Sequence, residues 1–192
     1  MKGKVIIIHG SNKHDRENIM KYNLLSQNER DWIGWIKEEL KKRNIECICP
    51  LMPENWAPIY GKWKEEFEKI SLEENDILIG WSSGGAFVVR WLGETKKKIK
   101  KLILVAPAIA SEELEEGIMK DFHLFNINSK IKDNIKEIIL IESDNDSEGI
   151  LEAGKKYCKK LKISPIILHN KGHFTGHKMG REFPELLEEI LK

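Results

Sequence analysis

The sequence predicts an α/β fold built on a parallel sheet covered on both faces, and three observations lead there. Six short runs are rich in Ile, Val and Leu and nearly continuous rather than alternating, as strands read when both of their faces are buried. Apolar stripes at helical spacing lie between these runs. Two long stretches, Ser11–Glu29 and Pro107–Lys136, leave the C-terminal ends of the first and fourth runs, the side on which open parallel sheets bind ligands.

In chain order, Val5–His9 is the first strand, too short to be a signal peptide or a membrane span. A helix is expected in Arg30–Arg43, where Trp32, Ile33, Trp35, Ile36 and Leu40 form one face and Lys and Glu fill the other. Glu46–Pro50 is the second strand, with Cys47 and Cys49 pointing the same way. Asp76–Trp81 is the third, and Ala86–Leu92 is a helical run leaving it. Lys96, Lys97, Lys98, Lys100 and Lys101 read as a solvated loop before the fourth strand, Lys101–Ala106. Glu137–Glu142 is the fifth strand, Ser147–Leu161 a helix and Ile163–His169 the sixth strand. Phe183, Leu186, Leu187, Ile190 and Leu191 repeat the helical stripe, with Pro184 near the helix start. Strand and helix alternate throughout, so right-handed crossovers follow.

With 192 residues, 41% of them hydrophobic, the chain suits one domain over 1–192, with lid candidates at 11–29 and 107–136. A net charge of +1 sets up no global field toward nucleic acid or an anionic membrane, and neither partner is expected. Three cysteines, Cys47, Cys49 and Cys158, make no disulfide framework. Buried free thiols and a cytoplasmic protein are expected.

Gly80-Trp81-Ser82-Ser83-Gly84 matches G-x-S-x-G. Alone the pattern is weak, but here a strand runs into it and a helix leaves it, the context of a nucleophile elbow in an α/β-hydrolase-type three-layer sandwich. Such a turn strains the serine backbone and raises its hydroxyl above the sheet. The flanking chain must approach closely, which Gly80 and Gly84 permit and Gly85 eases. A phosphate-binding turn is the competing reading, but no Lys follows as a P-loop requires. Ser83 would be the nucleophile only if the register slipped by one, placing Trp81 where glycine is needed. Ser82 is therefore the expected nucleophile. The backbone N–H of Ser83, at a helix start, faces a developing oxyanion, and that of Ser11, after His9-Gly10, is the second expected donor. His9 itself reads as a structural strand-end residue.

A serine hydroxyl needs a positioned base, and the base needs an orienting carboxylate. The fold class places them after the serine in the order acid, then histidine. Gly172-His173-Phe174 follows the sixth strand and makes His173 the expected base, with His177 as the rival. Zinc held by the i,i+4 pair His173 and His177 lacks the accompanying glutamate, so no metal is expected. His14 and His123 lie in the long stretches and are expected to be exposed. After the fifth strand, Asp144 and Asp146 are both acid candidates. One is catalytic and the other caps the next helix; spacing leaves the choice open.

Taken together, the chain resembles the small serine hydrolases that include YdeN and retinoblastoma-binding protein nine. The resemblance rests on His9-Gly10, Trp32-Ile33-Gly34-Trp35-Ile36 with Leu40, Leu51-Met52-Pro53 with Pro58 and Trp63, the Gly80–Gly84 elbow and Gly172-His173-Phe174. It implies that Trp63 lies on a helix after a Pro-rich stretch. Laid on Ser143-Asp144-Asn145-Asp146, the family's acid block makes Asp146 the orienting acid. It also implies a compact enzyme with a small lid and no organic cofactor. Three departures stand out. Trp81 replaces the histidine many hydrolases carry before the serine, the 11–29 stretch is long, and the residues that often follow the acid are absent after Asp146.

The expected function is hydrolysis of a small carboxylic ester or related acyl compound through an acyl-enzyme on Ser82. A peptidase or amidase with the same residues, and a binding module that keeps the fold without catalysis, are the alternatives. Trp81, Trp56, Phe122, Phe125 and Leu124 are candidate walls of an apolar pocket.

Overall fold

The computed structural model of the chain describes residues 3–12, 32–110 and 120–192. His14, the 11–29 stretch from residue 13 onward and residues 111–119 of the second stretch lie outside the described residues. Among the described residues, β1 (Val5–Ile8), β2 (Cys47–Ile48), β3 (Ile77–Trp81), β4 (Ile99–Val105), β5 (Ile135–Ser143) and β6 (Ile166–Leu168) form one parallel sheet, ordered β2-β1-β3-β4-β5-β6. The helices are α1 (Trp32–Lys42), α2 (Tyr60–Phe67), α3 (Ser83–Thr95), α4 (Lys120–His123), α5 (Glu148–Leu161), α6 (Gly176–Met179) and α7 (Pro184–Leu191). None of the described helices is long and apolar enough to cross a membrane.

Two apolar layers explain the continuous strand sequences. Ile6 and Ile8 of β1 join Leu78, Leu102, Leu104 and Leu140 on one face, beneath Trp63 and Phe67 of α2, Phe87 and Trp91 of α3 and Tyr157 of α5. Val5 and Ile7 join Ile79, Ile103, Val105 and Ile141 on the other, beneath Trp32, Ile33, Ile36 and Leu40 of α1 and Leu186 and Ile190 of α7. Side chains alternate across a strand, so covering both faces makes every position apolar. The order of strands reverses between β1 and β3, which lie side by side.

The edges and connections depart from the sequence reading. The sixth strand shrinks to Ile166–Leu168, because Pro165 lacks the N–H a ladder needs and Ile167 on this open edge is exposed. β4 begins two residues early, at Ile99, and this carries Lys101 into the core. Lys101 is therefore not part of a solvated loop. It is 0% exposed, its Nζ donating to the Glu189 carbonyl at 2.7 Å and pairing with Glu137 Oε2 at 2.9 Å. Lys96, Lys97 and Lys98 are exposed as expected. Cys47, Cys49 and Cys158 are free thiols but half-buried rather than buried, Cys47 lying on β2, an edge strand, and Cys49 just after it. The Trp63-bearing helix implied by the family resemblance is α2, on which Trp63 and Phe67 are buried. In the second long stretch, a 3-10 helix at Ser129–Asn134 follows Asn128, whose side chain donates to the Gly93 carbonyl of α3, and residues 135 and 136 already belong to β5.

Candidate active site

The turn between β3 and α3 is strained where the sequence requires it. Ser82 has φ 54° and ψ −119°, a conformation that costs a side-chain-bearing residue energy and persists only when its surroundings enforce it. A Cβ at Gly80 would lie 2.7 Å from the Gly84 carbonyl oxygen and from Gly85 Cα. One at Gly84 would collide with the Ile8 carbonyl and lie 2.6 Å from that of His9. The two glycines thus let α3 begin against the C-terminal end of β1. Carbonyl and amide of Ser82 are held too: its N–H donates to Val105, and its carbonyl accepts from Gly85 and Ala108.

His173 Nε2 lies 2.9 Å from Ser82 Oγ, and its Nδ1 lies 2.8 Å from Asp146 Oδ2. The Asp146 side chain is 3% exposed, whereas the histidine ring keeps a solvent-facing edge. Asp146 Oδ1 also accepts the Ser147 N–H at 2.6 Å, at the entrance of α5. One carboxylate therefore contacts both the ring and the Ser147 N–H, and Ser147, not an aspartate, occupies the cap position of α5 that the sequence reading gave to one of the two. Asp144 does neither. It is exposed and binds His169 and the Asn170 N–H, and these two hydrogen bonds hold its pKa below the ordinary carboxylate value, the backbone one most. His177, on α6, is exposed.

Residues the sequence did not single out stitch the two loops together. Asn145 Oδ1 accepts the Gly172 N–H at 2.7 Å and the Ser143 hydroxyl at 2.8 Å, while its Nδ2 donates to Asn170 Oδ1. Ser143 Oγ in turn accepts the Lys171 N–H at 2.8 Å. Gly172 at φ 56° and Phe174 at φ 54° bracket His173, a sharply bent segment that these bonds hold in place. Trp81 closes it from below. Its Nε1 donates to the His173 carbonyl at 3.2 Å, and its ring packs edge-on against Trp32.

Ser83 begins α3, so its N–H has no acceptor within the helix's own ladder. Gly10 brings the chain after β1 close to the elbow: a Cβ there would lie 3.0 Å from Ser82 Cβ. Ser11 follows, its hydroxyl 2.8 Å from that of Ser83. His9 is fully buried; its Nδ1 donates to the Gly10 carbonyl and its Nε2 accepts the Met52 N–H, a strand-end role as expected. His123 contradicts the sequence reading. It is 5% exposed, because α4 folds back onto the elbow and places its Nε2 2.9 Å from Ser83 Oγ. Of the candidate pocket walls, Trp81 and Phe122 are buried and Trp56 is half-buried. Phe125 and Leu124 line a cleft of about 490 Å³ with Ile109, Ala110, Lys156 and Lys160.

Beneath the acid loop lies Glu142, 5% exposed, with Oε1 making no hydrogen bond. Burial, then the charge of Asp146, pushes its pKa up to about 7. Gly154 of α5 makes room for it, since a Cβ there would collide with the carboxyl group. Among the described residues there is no cluster of three or more His, Cys, Asp or Glu side chains suited to a metal ion.

A parallel sheet whose central strand delivers a strained serine to a helix N-terminus is the frame of the α/β-hydrolase class. The chain belongs to the serine hydrolase family, whose sequence profile matches residues 24–190. No curated protein sequence matches it. Among solved structures it is similar to the ydeN gene product from B. subtilis, at 19% identity and a TM-score of 0.82, covering 99% of this chain and 97% of that one. It is also similar to Est1E from Butyrivibrio proteoclasticus in its ferulic acid-bound form, at 15% identity and a TM-score of 0.68, covering 99% and 88%. A third similar structure is a YdeN-like hydrolase from Pectobacterium atrosepticum, at 14% identity and a TM-score of 0.65, covering 98% and 89%.

Proposed function

We propose that the chain cleaves a small carboxylic ester, or a related acyl compound, through an acyl-enzyme on Ser82. The observation that carries this reading is the imidazole of His173, within hydrogen-bonding distance of Ser82 Oγ on one side and the buried carboxylate of Asp146 on the other. Ser82 Oγ attacks the substrate carbonyl while His173 Nε2 accepts its proton. Asp146 fixes the ring with Nδ1–H toward Oδ2 and stabilises the imidazolium that forms. The N–H groups of Ser83 and Ser11 hold the oxyanion. His173 then gives the proton to the departing alcohol. Water, deprotonated by the same nitrogen, hydrolyses the acyl-enzyme and restores Ser82. The ferulic acid bound to the similar Est1E structure is an acyl-group acid of the kind such a reaction releases.

Intact mass after incubation with a fluorophosphonate tests the reading. One adduct on the wild type, absent from Ser82→Ala, is expected, together with turnover of short-chain aryl esters that exceeds turnover of the matching aryl amides. No adduct on folded wild type would point to a binding module. Amide turnover matching the ester would point to a peptidase or amidase.

A further inference from the structure

Behind the nucleophile runs a chain of three polar side chains that the hydrolytic steps do not use. His123 Nε2 lies 2.9 Å from Ser83 Oγ, and Ser83 Oγ lies 2.8 Å from Ser11 Oγ. Ser83 and His123 are both buried, at 2% and 5% exposed, so these contacts are shielded from competition by water. The two serines at the far end are the residues whose backbone N–H groups serve the oxyanion in the reading above, and the inference rests on that reading.

Rigid anchors hold the histidine. Its carbonyl accepts the Ala110 N–H at 3.1 Å, which ties the chain after β4 back on itself. Phe122 beside it is 1% exposed and packs edge-on against Trp63, with ring centroids 4.8 Å apart. One residue earlier, the Asp121 carbonyl accepts Arg90 Nη1 of α3 at 2.8 Å. On the other side, the Asn12 N–H after Ser11 donates to the Asn55 carbonyl at 3.1 Å. Ser11 follows β1 and His123 follows β4, so the hydroxyl pair joins the chain leaving these two strands through the first residue of α3.

We propose that His123 is a positioning residue for the oxyanion site, acting through the hydroxyl of Ser83 to fix the Ser83 and Ser11 backbones at a set separation. β3 and α3 hold the chain as far as Gly10, but Ser11 lies beyond it on a different loop from Ser83. The hydroxyl–hydroxyl contact supplies the link between them, and His123 fixes the direction in which the Ser83 hydroxyl points. A donor to the oxyanion acts only when it is in place as charge develops, so displacement lowers the rate of the chemical step and not the affinity for the uncharged ester.

Steady-state esterase kinetics and fluorophosphonate labelling on His123→Ala, His123→Gln, Ser83→Ala and wild type test this. All three variants keep every backbone N–H. Losing an oxyanion donor outright costs about 100- to 1,000-fold, and a displaced donor costs less, so His123→Ala and Ser83→Ala should each lower kcat by roughly 10-fold with KM within 2-fold. Labelling should still reach one adduct per chain, at a correspondingly slower rate, which separates displacement from a loss of folded enzyme. Gln brings an amide nitrogen close to the position of Nε2, so His123→Gln should recover most of the rate. A fourth protein carrying both His123→Ala and Ser83→Ala should be no slower than either single alanine variant, because both substitutions break one chain. Wild-type kcat in His123→Ala and Ser83→Ala, additive losses in the double variant, or a KM rise with kcat unchanged would each overturn the proposal. An unlabelled wild type would instead overturn the hydrolase reading beneath it.

Discussion

The side-chain oxygen of Asn145 accepts the backbone N–H of Gly172 at 2.7 Å, and so the loop carrying Asp146 directly holds the residue before His173. The same oxygen takes the Ser143 hydroxyl, and the Asn145 amide donates to Asn170, so one exposed side chain braces the histidine loop at two points. Asn145→Ala should leave Ser82, His173 and Asp146 chemically intact while loosening His173. Misplacement of a catalytic group by about 1 Å costs up to about 100-fold, so kcat should fall roughly 10- to 100-fold with KM little changed. Asn145→Asp keeps the acceptor and should fall between. Equal kcat in all three forms, measured on one aryl ester, would show that the loop holds itself.

Asp146 and Asp144 should separate sharply. Asp146→Asn keeps the shape but removes the charge that stabilises the imidazolium and sets its tautomer, and a loss of kcat near 1,000- to 10,000-fold is expected. Asp144→Asn alters an exposed turn contact to His169 and Asn170 and should cost less than about 10-fold. A larger loss at Asp144 would reverse the assignment.

The strands and the strained turn at Ser82 were legible because each rests on local chemistry. Continuous Ile, Val and Leu runs report a sheet covered twice, and glycines on both sides of Ser82 report a turn only they permit. Spacing left Asp144 and Asp146 open. What distinguishes Asp146 from Asp144 is the way the loop turns, and that is set by bonds from Ser143 and Asn145 to residues 25 to 28 positions away. The family resemblance, not the local pattern, picked Asp146. His123 stayed hidden for a similar reason. A lone histidine in a short segment with no helical or strand period gives no sign of its surroundings, and its burial follows from Phe122 docking against Trp63.

Glu142 makes stability depend on pH. Its folded-state pKa of about 7 lies above the ordinary carboxylate value of 4.5, so the folded protein holds this proton more tightly than the unfolded chain does. Its contribution to stability is therefore complete below about pH 4.5, declines as pH rises toward 7 and is constant above that. Glu142→Gln cannot ionise and escapes this decline. Relative to wild type, the variant should gain roughly 2 to 3 kcal/mol in unfolding free energy between pH 4.5 and pH 8. Urea melts at the two pH values give the difference, and a variant curve parallel to wild type would show that Glu142 is charged and well solvated.

Lys101 tests a different part of the molecule, the end of the sheet away from Ser82. Its ammonium donates to the Glu189 carbonyl, in the last turn of α7, where carbonyls lack partners within the helix and a cation is favoured by the helix dipole. Its second contact, Glu137, is half exposed and can be hydrated if released. Lys101→Met keeps the aliphatic stem that fills the core and removes only the donor, so the cost is that of one buried charge-assisted hydrogen bond, about 1 to 3 kcal/mol. The unfolding midpoint in urea should drop with its slope unchanged, and kcat per labelled active site should stay within 2-fold of wild type. A variant as stable as wild type would mean that burying the ammonium costs as much as its two contacts return.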